Sequence, residues 1–229
     1  MKKLVVLSGS GISVESGLKT FRDNGGLWEE YDVMEVASIE GWYKNPGLVL
    51  EFYNQRRRQQ ASTKPNGAHI GLAELQKYYD VQIITQNIDD LHERAGSKKV
   101  LHLHGELNKA RSSKDENYII DITGKDIHMG DLCPKGSQLR PHIVWFGEAV
   151  PAMDDAIMMA SQADIFVVIG TSLNVYPAAG LIDYVHRDAK IYLIDPKEVN
   201  KAIRNCTFIK EKAVKGVEIL KNELTKDLV

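Results

Sequence analysis

The sequence predicts an α/β protein built on a doubly wound, Rossmann-like parallel sheet. Five short runs rich in valine and isoleucine, at residues 3–7, 81–85, 100–103, 165–169 and 191–194, are typical of strands buried on both faces. Segments with helical or mixed patterns separate these runs, as the crossovers between parallel strands require. Both observations favour strands and helices that alternate around one central sheet.

Helices are predicted at residues 46–60, 67–78, 152–161, 177–187 and 214–224. Two stretches do not follow the alternation, because residues 27–65 contain no strand pattern and residues 107–142 are polar and irregular. We interpret both as insertions that form a smaller module at the carboxyl edge of the sheet. The prediction is one domain over residues 1–229, with a core at 1–26, 66–106 and 143–229 and a module at 27–65 and 107–142.

Composition excludes several classes of protein. The 229 residues fit one large domain, and contents of 43% hydrophobic and 26% charged residues are ordinary for a soluble globular protein. A net charge of −2 gives no reason to expect nucleic acid or an anionic membrane as a partner. No apolar run approaches the roughly 20 residues of a membrane span, and two cysteines make no disulfide framework. These properties predict a cytoplasmic protein.

The first motif, "LVVLSGSGISVESGLKTFRD", places Gly9, Gly11 and Gly17 directly after the first strand. Glycines at this position let backbone N–H groups approach a phosphate at a helix N-terminus. Val14 occupies the third glycine position of the usual dinucleotide fingerprint, so the loop alone also fits a simple strand-to-helix turn. The basic side chain of Arg22, soon afterwards, favours phosphate binding.

The second motif, "IITQNIDDLHERAG", follows the second strand. Gln86, Asn87 and Asp89 therefore stand where the carboxyl ends of parallel strands open into a ligand crevice. The same residues also fit the start of a helix, with Asp89 or Asp90 as its N-cap.

The third motif, "VLHLHGEL", places His102 and His104 at alternate positions, so that both face one side of a strand. His104 is the last residue before a glycine and is the one nearest the crevice. A lone histidine is more often structural, but at a strand's carboxyl end it is a candidate general base.

Taken in order, five motifs resemble the sirtuins, the NAD-dependent protein lysine deacylases. They are "GSGIS…SGLKTFR", "TQNIDDLHERAG", "HLHGEL", "PHIVWFGEAVP" and "VVIGTSLNVYPAAGL". The resemblance extends from about residue 3 to the C-terminus, and Ser10 stands where the family usually has alanine. It implies NAD as co-substrate and proteins or peptides with acylated lysine as substrates. The oligomeric state does not follow from it.

The resemblance also implies which residues bind NAD. They are Gly9, Ser10, Gly11 and Ile12 at the pyrophosphate, Phe21 and Arg22 over the ribose and nicotinamide, Gln86, Asn87, Ile88 and Asp89 at the nicotinamide end, and Gly170, Thr171 and Ser172 on the adenosine side. Where the family commonly has an asparagine and then a glutamate near the adenosine ribose, this chain has Asp195 and Lys197. The backbone near Ala213 is expected to contact the adenine.

His104 matches the family's catalytic histidine, which acts as a general base on the ribose and requires no protein nucleophile. The substrate peptide is expected to lie as a strand between two loops. One loop contains Phe146, Gly147 and Glu148, and the other runs from Val175 to Pro177.

The helix at residues 46–60 predicts the acyl group that is removed. Its buried stripe runs Val49, Phe52, Tyr53 and then Arg56, whereas Arg57 and Arg58 are expected to carry their charge in solvent. One sirtuin class has tyrosine and arginine at Y-x-x-R spacing and prefers succinyl- or malonyl-lysine. Tyr53 and Arg56 match that pair, and Ala37 matches the small residue that widens the pocket. Without the resemblance, Arg56 would be read as a side chain that extends past the stripe to solvent.

Most sirtuins hold the small module with zinc on two C-x-x-C pairs. Here Ser112 and Lys114 stand near the first pair, and the second reads "CPKG", with Cys133 and Gly136. One thiolate does not make a tetrahedral zinc site, so no metal is expected. Two other functions remain open at this stage, namely a sirtuin-like protein ADP-ribosyltransferase and a non-catalytic sensor of NAD or ADP-ribose.

Overall fold

The computed structural model describes residues 1–18, 31–197 and 203–226. Its main element is a six-stranded parallel sheet in the order β3-β2-β1-β7-β8-β9. The strands are β1 (Lys3–Ser8), β2 (Asp80–Thr85), β3 (Val100–His102), β7 (Ile165–Ile169), β8 (Lys190–Ile194) and β9 (Cys206–Ile209). This order reverses direction between β1 and β7, which makes their carboxyl ends the switch point where such sheets bind ligands.

The five predicted strands all form, and no bound differs by more than one residue from the predicted one. The sixth strand, β9, was missed because it lies at an edge and its two central residues are exposed. Its sequence, "CTFI", is short and is interrupted by Thr207, so it lacks the continuous hydrophobic run that marks the central strands.

Seven α-helices lie in the described ranges, at Val33–Val36, Ile39–Lys44, Pro46–Ser62, Gly67–Glu74, Leu91–Arg94, Met153–Ser161 and Ala213–Thr225. Three 3-10 helices lie at Ser10–Ser16, Leu75–Lys77 and Ala178–Tyr184. The predicted helix at 67–78 thus ends in 3-10 form, and the one at 177–187 is wholly 3-10. The Pro46–Ser62 helix starts as expected, since Asn45 Oδ1 accepts a hydrogen bond from the Leu48 N–H at 3.1 Å.

The sheet is covered on both faces. Leu4 and Val6 pack into one core with the Gly67–Glu74 and Ala213–Thr225 helices. Val5 and Leu7 pack into a second core with the Met153–Ser161 helix and the Ala178–Tyr184 turn. The alternation along β1 follows from the two-residue period of a strand, and it confirms the doubly wound prediction.

The stretch at 107–142, expected to be irregular, contributes to a second sheet. This antiparallel sheet has three strands in the order β5-β4-β6, with β4 at Gly105–Ser112, β5 at Ile119–Asp121 and β6 at Leu139–Ile143. A third core, which contains Phe52, Tyr53 and Trp145, joins this sheet to the three helices of the stretch at 27–65. The exact division into core and module stays a prediction. None of the described helices has the length and apolar character needed to cross a membrane.

Candidate functional site

Two loops meet at the switch point between β1 and β7. The Gly9 N–H donates to the Ile169 carbonyl oxygen at 3.0 Å, and the Gly11 N–H donates to the Gly170 carbonyl oxygen at 2.9 Å. A Cβ on Gly9 would lie 2.7 Å from the Gly170 oxygen, and Gly170 itself has a φ of +62° and abuts the Ile12 nitrogen. The glycines are therefore required because the loops pack backbone against backbone.

The segment after β2 is tied to both loops. Gln86 Nε2 donates to Thr171 Oγ1 at 3.1 Å. Asn87 Nδ2 donates to the Gly9 carbonyl oxygen and to Ser13 Oγ, each at 3.3 Å. These contacts bring the first and second motifs and the loop after β7 into one crevice, as the motif order predicted.

Asp89 is buried and belongs to the same segment after β2. Its Oδ2 accepts a hydrogen bond from Ser13 Oγ at 3.2 Å, and its Oδ1 accepts one from the Leu91 N–H at 3.2 Å. Burial raises the pKa of the Asp89 carboxyl group, and the two hydrogen bonds oppose that rise. The N-cap position of the short Leu91–Arg94 helix is Asp90, and Asp89, one residue earlier, binds the first N–H of that helix, so the structural reading of Asp89 and the functional one are both compatible with its position.

The motifs in the sequence did not identify two polar residues that contact the loops of the crevice. Ser13 links Asn87 to Asp89, and Asn66 Nδ2 donates to the Ile12 carbonyl oxygen at 2.8 Å and to Ser16 Oγ at 2.9 Å. Asn66 also caps the Gly67–Glu74 helix. A helix cap is visible in the sequence, but its second set of contacts depends on the fold.

His104 follows β3 and contacts the same segment after β2. Its Nδ1 lies 3.0 Å from the Gln86 carbonyl oxygen, which can only accept, so Nδ1 carries the hydrogen. Burial lowers the pKa of His104, which leaves a neutral ring with the Nε2 lone pair available as a base. The turn after it requires Gly105, because φ is +83° and a Cβ would lie 2.0 Å from the His142 oxygen.

A buried serine–histidine contact joins β1 to the Leu91–Arg94 helix. Ser8 Oγ is 2.9 Å from His92 Nε2 and 2.9 Å from Thr85 Oγ1. All three residues are buried at 1% exposure or less, so no substrate reaches this pair. The pair is structural, and the expectation that no protein nucleophile is needed remains.

His92 also packs against His69, with ring centroids 5.0 Å apart. His69 Nδ1 accepts a hydrogen bond from the Asn66 N–H at 3.4 Å. Burial lowers the pKa of His69 to about 4 and lowers the pKa of His92 well below its usual range. Both rings are therefore neutral in the folded protein at pH 7.

We expect the folded state to lose stability as the pH falls from about 6.5 toward 4. Unfolded His69 binds a proton with a pKa near 6.5, whereas folded His69 does so only near 4, so the unfolded state takes up more protons in this window. The difference corresponds to about 3 kcal/mol of unfolding free energy. Urea unfolding at several pH values measures it. His69→Gln, which keeps an acceptor but does not titrate, should flatten the dependence, and an unchanged slope would contradict this assignment.

The predicted acyl pocket lies in the third core. Tyr53 is 2% exposed, and its hydroxyl oxygen accepts a hydrogen bond from Trp145 Nε1 at 2.9 Å. Ala37 is buried in the same core, and its carbonyl oxygen accepts from the Phe146 N–H at 2.9 Å. Arg56 is half-buried, and Tyr53 and Asp89 are both close enough to influence the pKa of its guanidinium. The three predicted pocket residues therefore lie around one region that borders Asp89.

One expectation about the Pro46–Ser62 helix was wrong, because the Arg57 side chain is not exposed to solvent. It is 3% exposed, and it donates from Nε to the Leu107 carbonyl oxygen and from Nη1 to Asn54 Oδ1, each at 2.8 Å. Arg58 is exposed and pairs with Asp126 at 2.6 Å. Arg57 therefore joins the helix to β4, which the helical stripe alone does not reveal.

Two arginines of the small sheet hold the Phe146–Glu148 loop in place. Arg140 donates to both carboxylate oxygens of Glu148, at 2.7 and 2.9 Å, and Arg111 donates to one of them at 3.1 Å. Arg140 also stacks on Trp145, with its guanidinium carbon 3.5 Å from a ring centroid. The Glu148 side chain thus anchors the loop to the small sheet, while the Phe146 side chain is 43% exposed. Gly147 has a φ of +88° and completes the turn.

Most of the remaining predicted residues lie in segments that follow strands of the main sheet. Asp195 is half-buried after β8 and accepts from the Lys197 N–H at 2.8 Å, and Ala213 begins the last helix. Ser172, Val175 and Pro177 follow β7 in sequence, and Ser10 and Ile88 belong to the loops already described. Phe21 and Arg22 lie outside the described residues.

Comparison with known proteins agrees with this geometry. The model of the Sir2 family matches residues 9–177. The chain belongs to the Sir2 family. It is 58% identical to an NAD-dependent protein deacylase of Helicobacter pylori over 225 residues, which covers 98% of each chain. It is 54% identical to one of Bacteroides thetaiotaomicron over 230 residues, again 98% of each.

Two solved structures extend the comparison. A Sir2 homologue in complex with NAD superposes on this sirtuin with a TM-score of 0.90 at 39% identity, covering 100% of this chain and 91% of the other. A Sir2 variant with a deacetylated p53 peptide and 3′-O-acetyl ADP-ribose gives a TM-score of 0.79 at 32% identity, covering 96% and 92%. The predicted fold, the enzyme class of NAD-dependent protein deacylase and NAD as co-substrate are thereby confirmed.

Proposed function

We propose that this sirtuin removes succinyl or malonyl groups from protein lysine, and acetyl groups less well, to give nicotinamide and O-acyl-ADP-ribose. The observation that carries the proposal is the neighbouring position of Tyr53 and Arg56 beside a buried Ala37, next to Asp89 of the NAD crevice. A planar guanidinium and a hydroxyl together suit a carboxylate. The small side chain of Ala37 leaves room for the longer acyl chain.

The electrostatics support an anion at this position. Burial lowers the pKa of Arg56, which means that its charge is partly deprived of water and gains from an anionic partner. Burial also raises the pKa of Tyr53 to about 12, although Trp145 and Arg56 oppose this, so its hydroxyl keeps a proton to donate. Both groups are therefore donors at neutral pH.

His104 is the proposed general base. In the expected sequence the acyl oxygen attacks C1′ of the nicotinamide ribose and nicotinamide departs. His104 Nε2, through the ribose 3′-hydroxyl, then removes the proton of the 2′-hydroxyl, which attacks the imidate carbon. The hydrogen bond from Nδ1 to the Gln86 oxygen supports this role, since it leaves Nε2 bare.

NAD is proposed to occupy the crevice formed by three segments. They are Gly9 to Ile12, Gln86 to Asp89 and Gly170 to Ser172, with Asp195 and Ala213 at the adenosine end. The acylated peptide is proposed to add as a strand between the Phe146–Glu148 loop and the 175–177 loop. A cytoplasmic location agrees with the composition and stays a prediction.

We further propose that the small module is held without zinc. The family's metal would lie between the turns at Ser112–Asp115 and Cys133–Gly136. Here the Ser112 hydroxyl hydrogen bonds the Cys133 thiol, and Lys135 Nζ lies 2.7 Å from Asp115 Oδ2. One thiol, a hydroxyl and a carboxylate already paired with lysine do not fit a structural zinc site.

Cys133→Ser tests this proposal. We expect a loss of about 1 kcal/mol in unfolding free energy, the typical scale for one core substitution. A structural zinc ligand would behave differently, because zinc contributes about 10 kcal/mol or more to such a module. Thermal unfolding with and without EDTA, together with metal analysis of the purified protein, measures both. One zinc per chain, or collapse of the variant, would contradict the proposal.

The activity itself is tested with NAD and matched peptides that carry acetyl-, malonyl-, succinyl- or glutaryl-lysine, followed by mass spectrometry. We expect O-acyl-ADP-ribose from every accepted substrate and the highest kcat/KM with succinyl or malonyl. ADP-ribosylated protein with intact acyl-lysine would instead indicate a transferase, and unchanged NAD would indicate a sensor.

A further inference from the structure

Three successive residues at the end of β3 fix the segment after β2. The Leu103 N–H donates to the Thr85 carbonyl oxygen at 2.9 Å. His104 Nδ1 lies 3.0 Å from the Gln86 oxygen, and His102 Nδ1 lies 3.1 Å from the Asn87 oxygen. Every carbonyl from residue 85 to residue 87 is therefore bonded to the same short stretch.

The two histidines differ in what surrounds their second nitrogen. Both carry a hydrogen on Nδ1, because a carbonyl oxygen only accepts. His102 Nε2 lies 2.7 Å from Glu93 Oε1 and 4.0 Å from Glu106 Oε1, and a carboxylate also only accepts. His102 is therefore doubly protonated, whereas His104 has no carboxylate among the groups that act on its pKa.

We propose that His102, held by Glu93 and Glu106, is a positioning residue that fixes the Asn87 carbonyl oxygen and thereby the crevice segment from Gln86 to Asp89. A charged donor makes a stronger hydrogen bond to this oxygen than a neutral one. On its other side Asn87 donates to Gly9 and Ser13, and Ser13 donates to Asp89. The inference rests on the proposed role of this segment in NAD binding.

Burial lowers the pKa of His102, but the carboxylates of Glu93 and Glu106 and the Asn87 oxygen outweigh it, and the net direction is upward. Several titratable or charged groups surround this imidazolium. They are Glu93 and His92 on the Leu91–Arg94 helix, Asp89 and Asp90 before it, Glu106 and Lys109 on β4, and Asp121 on β5. Most of these groups are carboxylates, and their negative charge favours the protonated form of His102.

Within the part of the chain that the structure describes, one group of side chains has the spacing of metal ligands. It consists of Glu93, His102 and Glu106. A cation there would have to displace the proton that His102 Nε2 shares with Glu93. Lys109 moreover pairs with Glu106. The geometry therefore assigns the cluster to a proton rather than to a metal, and added metal is included in the test.

The experiment compares wild type with His102→Gln and Glu93→Gln, using kcat and KM for NAD from pH 6 to 10. Loss of the His102 proton should produce a falling limb in kcat/KM at alkaline pH. In Glu93→Gln this limb should move to lower pH, because one anion that stabilises the imidazolium is gone. His102→Gln should lack the limb and lose about ten- to a hundred-fold in kcat/KM, the scale of a misplaced binding group. His186→Gln, at an exposed site, is the matched control.

Nitrogen NMR of the histidine rings tests the charge state directly in folded protein without substrate. Two protonated nitrogens on His102 at pH 7.5, with a lower titration midpoint in Glu93→Gln, support the inference. A neutral His102, a limb that does not move, or one equivalent of Zn²⁺ that stabilises only the wild type would each overturn it. Failure of the proposed function would look different, because it would appear as unchanged turnover in a His104 variant while the His102 titration stays as expected.

Discussion

Replacement of His104 by alanine is expected to lower the rate of O-acyl-ADP-ribose formation by about 10²–10⁴-fold, the usual contribution of a general base. The ring is neutral, its Nδ1 is engaged by the Gln86 oxygen, and its Nε2 is the group proposed to accept the ribose proton. Steady-state product formation with a saturating acyl peptide measures this loss. NAD affinity should change much less than turnover, because the variant loses the bond to the Gln86 carbonyl oxygen but the side-chain amides of Gln86 and Asn87 keep their contacts to Thr171, Gly9 and Ser13.

The proposed order of steps makes the test more specific. Nicotinamide departs before His104 is needed, so the variant should still exchange labelled nicotinamide into NAD when acyl peptide is present. His186→Gln, an exposed histidine far along the chain, controls for general effects of the substitution. Turnover that survives in His104→Ala would remove this residue from the mechanism. Loss of exchange together with turnover would place its role at the first step.

The central sheet was predictable because burial on both faces leaves a clear signal. Strands such as β1 and β7 read as continuous runs of apolar residues, and their carboxyl ends fixed the position of the crevice. The small sheet was not predictable in the same way. Its strand β5 has three residues, two of them exposed, and β4 reads "GELNKARS", so neither run has a hydrophobic period.

The hydrogen-bond partners of polar side chains were harder to predict than the places of these residues on the sheet. The second motif predicted that Gln86, Asn87 and Asp89 follow a strand, and they do follow β2, but it gave no sign of Ser13, which connects two of them. Ser13 is 74 positions away from Asn87 and 76 positions away from Asp89 in the chain. Contacts of this kind depend on how separate strands are brought together, which local patterns do not encode.

The arginines of the Pro46–Ser62 helix show the same limit within one element. The helical period predicted that Arg56 continues the buried stripe, and the structure leaves it half-buried beside Tyr53. It predicted solvent for Arg57, which instead binds the Leu107 oxygen of the small sheet. This helix buries one side in the third core and another side against β4. The burial of Arg57 follows from its contact with β4, a strand that the sequence did not predict.

Arg56→Met is expected to lower desuccinylation about ten- to a hundred-fold while deacetylation changes little. Methionine keeps much of the packing volume but removes the guanidinium, and a hydrogen bond to a charged group contributes about 1.5–3 kcal/mol. An acetyl group has no carboxylate and gains nothing from this charge. The ratio of kcat/KM values for succinyl- and acetyl-lysine versions of one peptide measures the selectivity.

Two further variants separate binding of the anion from support of the helix. Arg58→Met removes a charge from the exposed side of the same helix and should leave the ratio unchanged. Tyr53→Phe keeps the ring in the third core and removes one hydroxyl, so its effect on the ratio should have the same direction as that of Arg56→Met and a smaller size. Equal losses for both acyl groups in Arg56→Met would show that the arginine only supports the fold. Loss confined to the succinyl substrate would follow from an anion bound between Tyr53 and Arg56.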